Sequence, residues 1–430
     1  MSNQIPAPKT LHIVLNGVME DSRVLKCAWS LGNAGWEVLV TGASPYTYPD
    51  SLDIGYAAIR RLPLKVVVKQ QSAAFILRAL RYYKRRFEAK YLPAKKPMIP
   101  NLRKATSEIL PVAMEFGPDV VHAHDYTALP IAGAVVDAMR RAGRKVALVY
   151  DAHEYVPGVA HLRKPLADLY TENERKYAAT ADAVLSVSEG MSDLLIPHLG
   201  VSARPEIVAN DPLVEGQQTS VRNLRVDCGI GPEVPLLVYS GAVAPQRGIL
   251  TAVEALRKLP GVHLVVIANP KNETVLALQA GASDLADRFH VKPYVPNAEL
   301  VSYLSTADIG LIPIHHRLNH EISLITKFGE YMQAKLPIVV SDVKTMSEEV
   351  LRLGNGEVFI AEDVAGFVAA VTKVLADPAK YRAKYTAERL AERSWERQAE
   401  GLLAIYSRIS GTSSQAREHR PFKISKPVKD

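Results

Sequence analysis

Val238-Tyr239-Ser240-Gly241-Ala242-Val243-Ala244-Pro245-Gln246-Arg247-Gly248 is a short apolar run that ends in a small-residue turn and opens a helix. Leu236–Ser240 reads as a buried strand, and Ile249–Lys258 carries the periodicity of the helix after it. A strand, a turn and a helix start expose free backbone N–H groups and the positive end of a helix dipole, which suit an anion. Arg247 adds a charged fork for a diphosphate beside Gly241 and Gly248. Taken alone, the stretch also fits an ordinary strand–helix loop with a surface arginine.

The pattern extends in both directions. Downstream lie strands His263–Ile267, Ile309–Pro313 and Pro337–Ser341, with a helix over Thr326–Ala334. Upstream, Leu11–Leu15, Val38–Thr41, Asp119–His122, Val146–Tyr150 and Ala183–Val187 are further short apolar runs, and Ser22–Ala34 is an amphipathic helix that stops at Gly35. Buried strands separated by helices predict parallel sheets covered on both faces. Breakers crowd Pro205–Pro235, which reads as a linker. The expected organisation is an α/β domain over 1–208 and a second over 209–390. A C-terminal helix over 391–411 and a disordered basic tail over 412–430 follow. Within Pro378–Ile409 the periodicity predicts one or two helices. Ligands of such sheets bind at the carboxyl ends of the strands, so the cleft between the two units is the default site.

The 430 residues are 48% hydrophobic and 23% charged, a globular composition that excludes collagen, coiled coil and wholesale disorder. Two cysteines exclude a disulfide framework and a Cys-rich metal site. No apolar run reaches the ~18 residues of a spanning helix, and Leu11–Leu15 is too short for a signal segment. These readings predict a cytoplasmic protein. The charge is concentrated: residues 60–104 hold fourteen Lys and Arg against the single acid Glu88, and the rest of the chain is net acidic.

Candidate chemistry sits at strand ends. Val121-His122-Ala123-His124-Asp125 and Tyr150-Asp151-Ala152-His153-Glu154 each place imidazole and carboxylate where a strand meets the presumed cleft. In Ser323-Leu324-Ile325-Thr326-Lys327-Phe328-Gly329-Glu330, Lys327 and Glu330 share one helix face near its first turn. A carboxylate there can accept both ribose hydroxyls of a nucleotide; a surface ion pair is the simpler alternative. Asp21 or Ser22 can cap the first helix, and Gly17 allows close backbone approach of a ligand. His315, His316 and His320 lack a metal-site pattern, and no Asp-x-Asp element is present, so no metal is expected.

Together these pieces resemble the retaining GT-B glycosyltransferases of group 1, family 4. The resemblance is carried by Asp21-Ser22-Arg23-Val24, Gly35-Trp36-Glu37-Val38, Pro118–Asp125, Asp151–Glu154, Gly241…Arg247-Gly248, Lys327…Glu330-Tyr331-Met332 and Trp395-Glu396, in the family's order. It implies two Rossmann-like domains with parallel sheets facing an interdomain cleft, a nucleotide-sugar donor, a hydroxyl acceptor, no cofactor, and a last helix crossing back to the first domain. By position, His153 resembles the histidine at the donor sugar, and Arg247 the basic residue at the diphosphate. Glu330 resembles the second Glu of the Glu-x7-Glu element, and Gly17 lies in the first glycine loop. The first Glu of that element is replaced by Ile322, with Glu321 one place off; backbone N–H groups of Ser323–Ile325 are the expected substitute. Arg247 and Lys327 together supply the expected positive charge. Asp21, Arg23, His124, Asp125 and Glu154 are the acceptor-side candidates.

In residues 60–104, Ala74–Arg86 reads as a basic amphipathic helix suited to an anionic membrane surface, which predicts peripheral action on the inner face of the membrane. The acceptor is then lipid-linked or a cell-envelope polysaccharide. Two other functions are weighed: a GT-B sugar-nucleotide 2-epimerase, and a non-enzymatic basic binding protein. No nucleic-acid module is recognisable, so nucleic acid is not an expected partner.

Overall fold

The computed structural model describes residues 6–19, 21–43, 51–62, 98–99, 102–159, 162–217, 220, 222–411 and 416–425. Strands β1 (Lys9–Ile13), β2 (Glu37–Ala43), β3 (Ser51–Ile54), β4 (Ala57–Leu62), β5 (Val120–His124), β6 (Ala147–Asp151), β7 (Ala183–Ser186) and β8 (Glu206–Ile207) build the first sheet. The second contains β9 (Leu236–Ser240), β10 (His263–Ile267), β11 (Phe289–Lys292), β12 (Ile309–Ile312), β13 (Ile338–Ser341) and β14 (Gly356–Phe359). A late strand, β15 (Ile424–Ser425), returns to the first.

The sheet orders are β15-β3-β4-β2-β1-β5-β6-β7-β8 and β11-β10-β9-β12-β13-β14. All pairings are parallel except β3 with β4 and β15 with β3. Chain order reverses between β1 and β5 and again between β9 and β12, where flanking loops diverge and leave a crevice at the carboxyl ends. Each strand of the second sheet's centre is wholly apolar or nearly so, and β9 is buried along its length. The strand β1 starts two residues earlier than its apolar run suggests, because Thr10 and His12 are buried among polar partners rather than exposed.

The breaker-rich stretch Pro205–Pro235 is not bare linker. It contains β8 and a short helix, Leu224–Cys228, capped by Asn223 and ended by Gly229 in the left-handed region. The first helix, Ser22–Asn33, clamps this crossing. Arg23 Nη1 donates to the Val208 carbonyl at 2.6 Å; Lys26 Nζ donates to the Asp211 carbonyl and sits 4.7 Å over the Trp395 ring.

Three helices precede the tail: Pro378–Arg382, Ala387–Glu392 and Trp395–Ser410. The last crosses back, and its Trp395, Leu402, Ile405 and Tyr406 join Trp36, Val38 and Val120 in the core under the first sheet. Residues 416–425 correct the expectation of a disordered tail. The indole of Trp29 donates to the Arg420 carbonyl at 2.8 Å, Phe422 packs edge-on against Trp29, and β15 pairs antiparallel with β3. The tail is anchored because the edge of β3 and the face of Trp29 offer it partners that a polar sequence does not reveal. The basic helix expected at Ala74–Arg86 lies outside the described residues.

Candidate active site

A cavity of about 560 Å³ opens between the carboxyl ends of the two sheets. The second sheet's wall carries Gly241, Arg247, Ser323, Lys327 and Glu330; the first sheet's wall carries Asp21, Arg23, His153 and Glu154. Nine residues separated by up to about three hundred positions in sequence therefore share one chamber.

The turn after β9 is built for a cation. Gly241 has φ +130°, and a Cβ there would stand 3.0 Å from Lys327 Nζ, so glycine leaves room for the ammonium. Lys327 lies 4.6 Å over the Tyr239 ring and is 9% exposed. Burial and the neighbouring Arg247 lower its pKa. Among the described residues neither Lys327 nor Arg247 has an ion-pair partner. Two desolvated or half-buried cations facing the single carboxylate of Glu330 leave net positive charge that an anion completes. Both stand beside the first turn of the helix Thr326–Gln333, whose unsatisfied N–H groups add positive potential. Burial raises the pKa of Glu330, opposed by Lys327 and Lys26.

On the opposite wall Asp151 organises the chemistry. Arg23 grips it with both arms, Nε to Oδ2 at 2.8 Å and Nη2 to Oδ1 at 2.6 Å. His153 Nε2 meets Oδ2 at 3.1 Å, leaving Nδ1 as the free ring nitrogen. Burial acts against the charge of Asp151, but Arg23 and His153 outweigh it and hold the carboxyl well below its usual range. Burial likewise acts against charging His153, and the carboxylate of Asp151 more than compensates, so its pKa is raised.

Several expectations change. His122 and His124 do not face the cavity; both are fully buried and turn toward His12 and Tyr406, because residues two apart on β5 share the face covered by the crossing helix. Asp125 also stands outside the lining, at φ +70°, with burial pushing its carboxyl up to about 7. Gly17 is not among the lining residues, and the left-handed residue of its loop is Val18. Gly248 is required by packing: at φ +69°, a Cβ would lie 1.6 Å from the Pro313 carbonyl oxygen. Asp21 lines the cavity while capping the first helix through Val24 N–H. Arg23 reaches the site through Asp151. Glu321 does not replace the missing acid at 322. Its carboxylate binds His316 Nδ1 at 2.5 Å and Lys344 N–H at 2.8 Å, outside the cavity. His320, Arg317 and Asn319 occupy that part of the lining. Sequence reading missed these three and Asp151; only Asp151 had a visible signal, its place two residues before His153 at a strand end.

Two family descriptions fit consecutive parts of the chain: Glycosyl transferase 4-like domain over residues 22–211, and Glycosyl transferases group 1 over residues 221–390. The chain belongs to the group 1 glycosyltransferases, GT4 type. This glycosyltransferase is 26% identical over 269 residues to a glycogen synthase of Mycobacterium tuberculosis (strain CDC 1551 / Oshkosh), a match that covers 61% of each protein. It thus spans about three fifths of that relative's length. Among solved structures it is similar to sucrose-phosphate synthase from Thermosynechococcus elongatus, with TM-score 0.69 and 16% identity over 94% of this chain and 99% of that one. Anabaena HepE in complex with UDP and glucose superposes at TM-score 0.66 and 14% identity, over 93% and 100% of the two chains. The two facing sheets are the GT-B fold. Among the described residues, no helix of this glycosyltransferase is long and apolar enough to cross a membrane.

Proposed function

We propose that the enzyme transfers a hexose or hexose derivative from a nucleoside diphosphate-sugar to a hydroxyl acceptor, with retention at the anomeric carbon. The observation that carries this reading is the convergence of Arg247, Lys327 and Glu330 on one chamber facing His153. The UDP in the HepE structure favours a uridine donor. Breaking the anomeric C–O bond places negative charge on the departing diphosphate and positive charge on the ring. Arg247, Lys327 and the N-terminus of helix Thr326–Gln333 stabilise the first, in the role a metal ion fills elsewhere. Glu330 accepts the ribose hydroxyls. His153 orients the sugar through Nδ1, and no side chain need act as nucleophile: in front-face attack the leaving phosphate oxygen takes the acceptor's proton. Closing the two domains on the donor excludes water that would otherwise hydrolyse it.

Glu154 and Asp21, on the first sheet's wall, face the incoming acceptor. The cationic segment 60–104 favours an acceptor at an anionic membrane surface. An apolar cavity of about 440 Å³ beside Arg103 and Lys104, lined by Met98, Ile99 and Leu102, supports an acceptor with a lipid portion. The test is calorimetry with UDP. Glu330→Ala should weaken UDP binding about tenfold, the worth of one charged hydrogen-bond acceptor. Unchanged affinity would remove Glu330 from the ribose site.

A further inference from the structure

Behind His153 lies a polar network that the transfer mechanism does not use. His12 on β1 stands directly beside His122 on β5, and His124 shares their face of the sheet. All three rings are completely buried. The rings of His122 and His124 stack with centroids 4.1 Å apart, and Tyr406 of the crossing helix closes the far side.

The proton positions follow from one fixed charge. Arg23 keeps Asp151 ionised, so the nitrogens that face Asp151 carry protons. These are His122 Nε2 and His124 Nδ1, each 3.4 Å from Oδ2, an electrostatic contact longer than a well-formed hydrogen bond, and neither has any other partner among the described residues. A neutral imidazole carries one proton, so the other nitrogen of each ring must accept. His122 Nδ1 accepts from the Tyr406 hydroxyl at 2.7 Å, and His124 Nε2 accepts from His12 Nδ1 at 2.8 Å. Burial and the neighbouring rings lower the pKa of His12, and burial lowers those of His122 and His124, in keeping with three neutral rings. Every proton in the network points toward Asp151. The three ring nitrogens lie within 4.8 Å of one another, as in a three-histidine metal site. Yet 2.8 Å between His12 and His124 is a hydrogen-bond distance, shorter than the roughly 3.3 Å between two nitrogens on one tetrahedral zinc.

We propose that Tyr406, acting through His122 and Asp151, is a positioning residue that sets the orientation and basicity of His153. The inference rests on the role given to His153 in the proposed function. The hydroxyl of Tyr406 polarises His122 and strengthens its Nε2–H toward Asp151. That contact offsets part of the carboxylate's charge, which Asp151 would otherwise offer to His153. The groups facing His153 are Asp151 at the end of its own strand, Arg23 from the first helix, His122 and His124 from β5, and Asp125 from the helix after β5. Asp151 and Asp125 favour its charged form and Arg23 opposes it. The crossing helix thereby reaches the reacting centre from the opposite end of the chain.

The test uses the full chain with 13C-labelled histidine, following the His153 ring by NMR titration and assigning it with His153→Gln. Tyr406→Phe removes one oxygen, and His122→Phe removes the donor to Asp151. Both should move the His153 titration upward, by a few tenths to one pH unit, and the double variant should shift it no further than His122→Phe. A merely structural Tyr406 would lower the melting temperature and leave the His153 titration in place, which would overturn the proposal. One equivalent of zinc retained by the purified protein and lost in His122→Phe would overturn it too, since the rings would then be ligands. UDP binding is measured alongside. UDP binding with an unmoved His153 refutes the relay alone, whereas loss of UDP binding in the unaltered chain refutes the transferase site.

Discussion

Replacing Lys327 with Met should separate stability from donor binding. Lys327 is 9% exposed, forms no salt bridge among the described residues, and has its pKa lowered by burial and by Arg247, with Glu330 opposing only in part. Below the ordinary lysine range, near 10.4, the unfolded chain holds this proton freely while the folded chain resists it. A cation with a depressed folded pKa therefore destabilises the fold at neutral pH, and the penalty disappears only as pH rises toward 10. The pKa of Lys327 falls to about 7, and at about 1.4 kcal/mol per unit this costs up to about 4–5 kcal/mol. Met has a similar reach and suits the Tyr239 ring, so the nucleotide-free variant should melt several degrees higher, at about 2–4 °C per kcal/mol for a domain of this size. UDP affinity should fall at the same time. One charge-assisted contact to a diphosphate is worth about 1.5–3 kcal/mol, or roughly ten- to hundredfold in Kd. Thermal unfolding with and without UDP reads the first effect, and titration calorimetry the second. Calorimetry at pH 8 in two buffers of different ionisation enthalpy should also show proton uptake on UDP binding, absent in Lys327→Met. A variant that melts lower without ligand, or binds UDP within twofold of the parent, would refute the reasoning.

Arg247→Ala should weaken UDP binding about five- to twentyfold, less than Lys327→Met because the guanidinium is only half-buried, and the difference should shrink as salt rises. Equal losses at 50 and 500 mM salt would place Arg247 away from the phosphates. Gly248→Ala should destabilise the second domain by about 2–4 kcal/mol, combining a left-handed backbone with a Cβ driven into the Pro313 carbonyl; denaturant unfolding measures it, and a loss below 1 kcal/mol would contradict the geometry. The fold should weaken as pH falls below about 6.5, where unfolded histidines take up protons that buried His12, His122 and His124 refuse. Each contributes up to about 2 kcal/mol of loss at pH 5. His12→Phe should flatten that slope in melting curves between pH 7 and 5; an unchanged slope would mean the rings are charged in the folded state.

The four inner strands of the second sheet were legible almost to the residue, whereas its edge strands β11 and β14 were not read. Leu236–Ser240 and His263–Ile267 are apolar runs cut off by Gly, Pro or small residues, and a strand buried on both faces needs no other signal. The first sheet was harder, for a physical reason. Lys9-Thr10-Leu11-His12-Ile13 alternates polar and apolar like a half-exposed strand, yet Thr10 and His12 are buried because Tyr406 and His124 satisfy them. Partners 112 and 396 residues away leave no local trace. The same cause misdirected His122 and His124 toward the cleft. The antiparallel edge, β3 and β15, is made by short segments whose pairing depends on where the tail docks. In the site, Arg247, Lys327, Glu330 and His153 were legible because each stands at a strand end or first helical turn. Asn319 and His320 come from the short helix Leu318–Ile322 and Arg317 from its N-cap, a five-residue element too brief for periodicity to mark.

The helix Trp395–Ser410 gives the first domain a peculiar dependence on a segment nearly two hundred residues downstream. Trp395 donates to Ser30, Tyr406 fills the space beneath His122, and Leu402 and Ile405 complete the hydrophobic floor under β2 and β5. During synthesis, residues 9–208 leave the ribosome long before these side chains exist. The nascent sheet must wait with one apolar face open, so the chain cannot mature strictly from front to back. Translation has to pass residue 410 before the first domain acquires its lining.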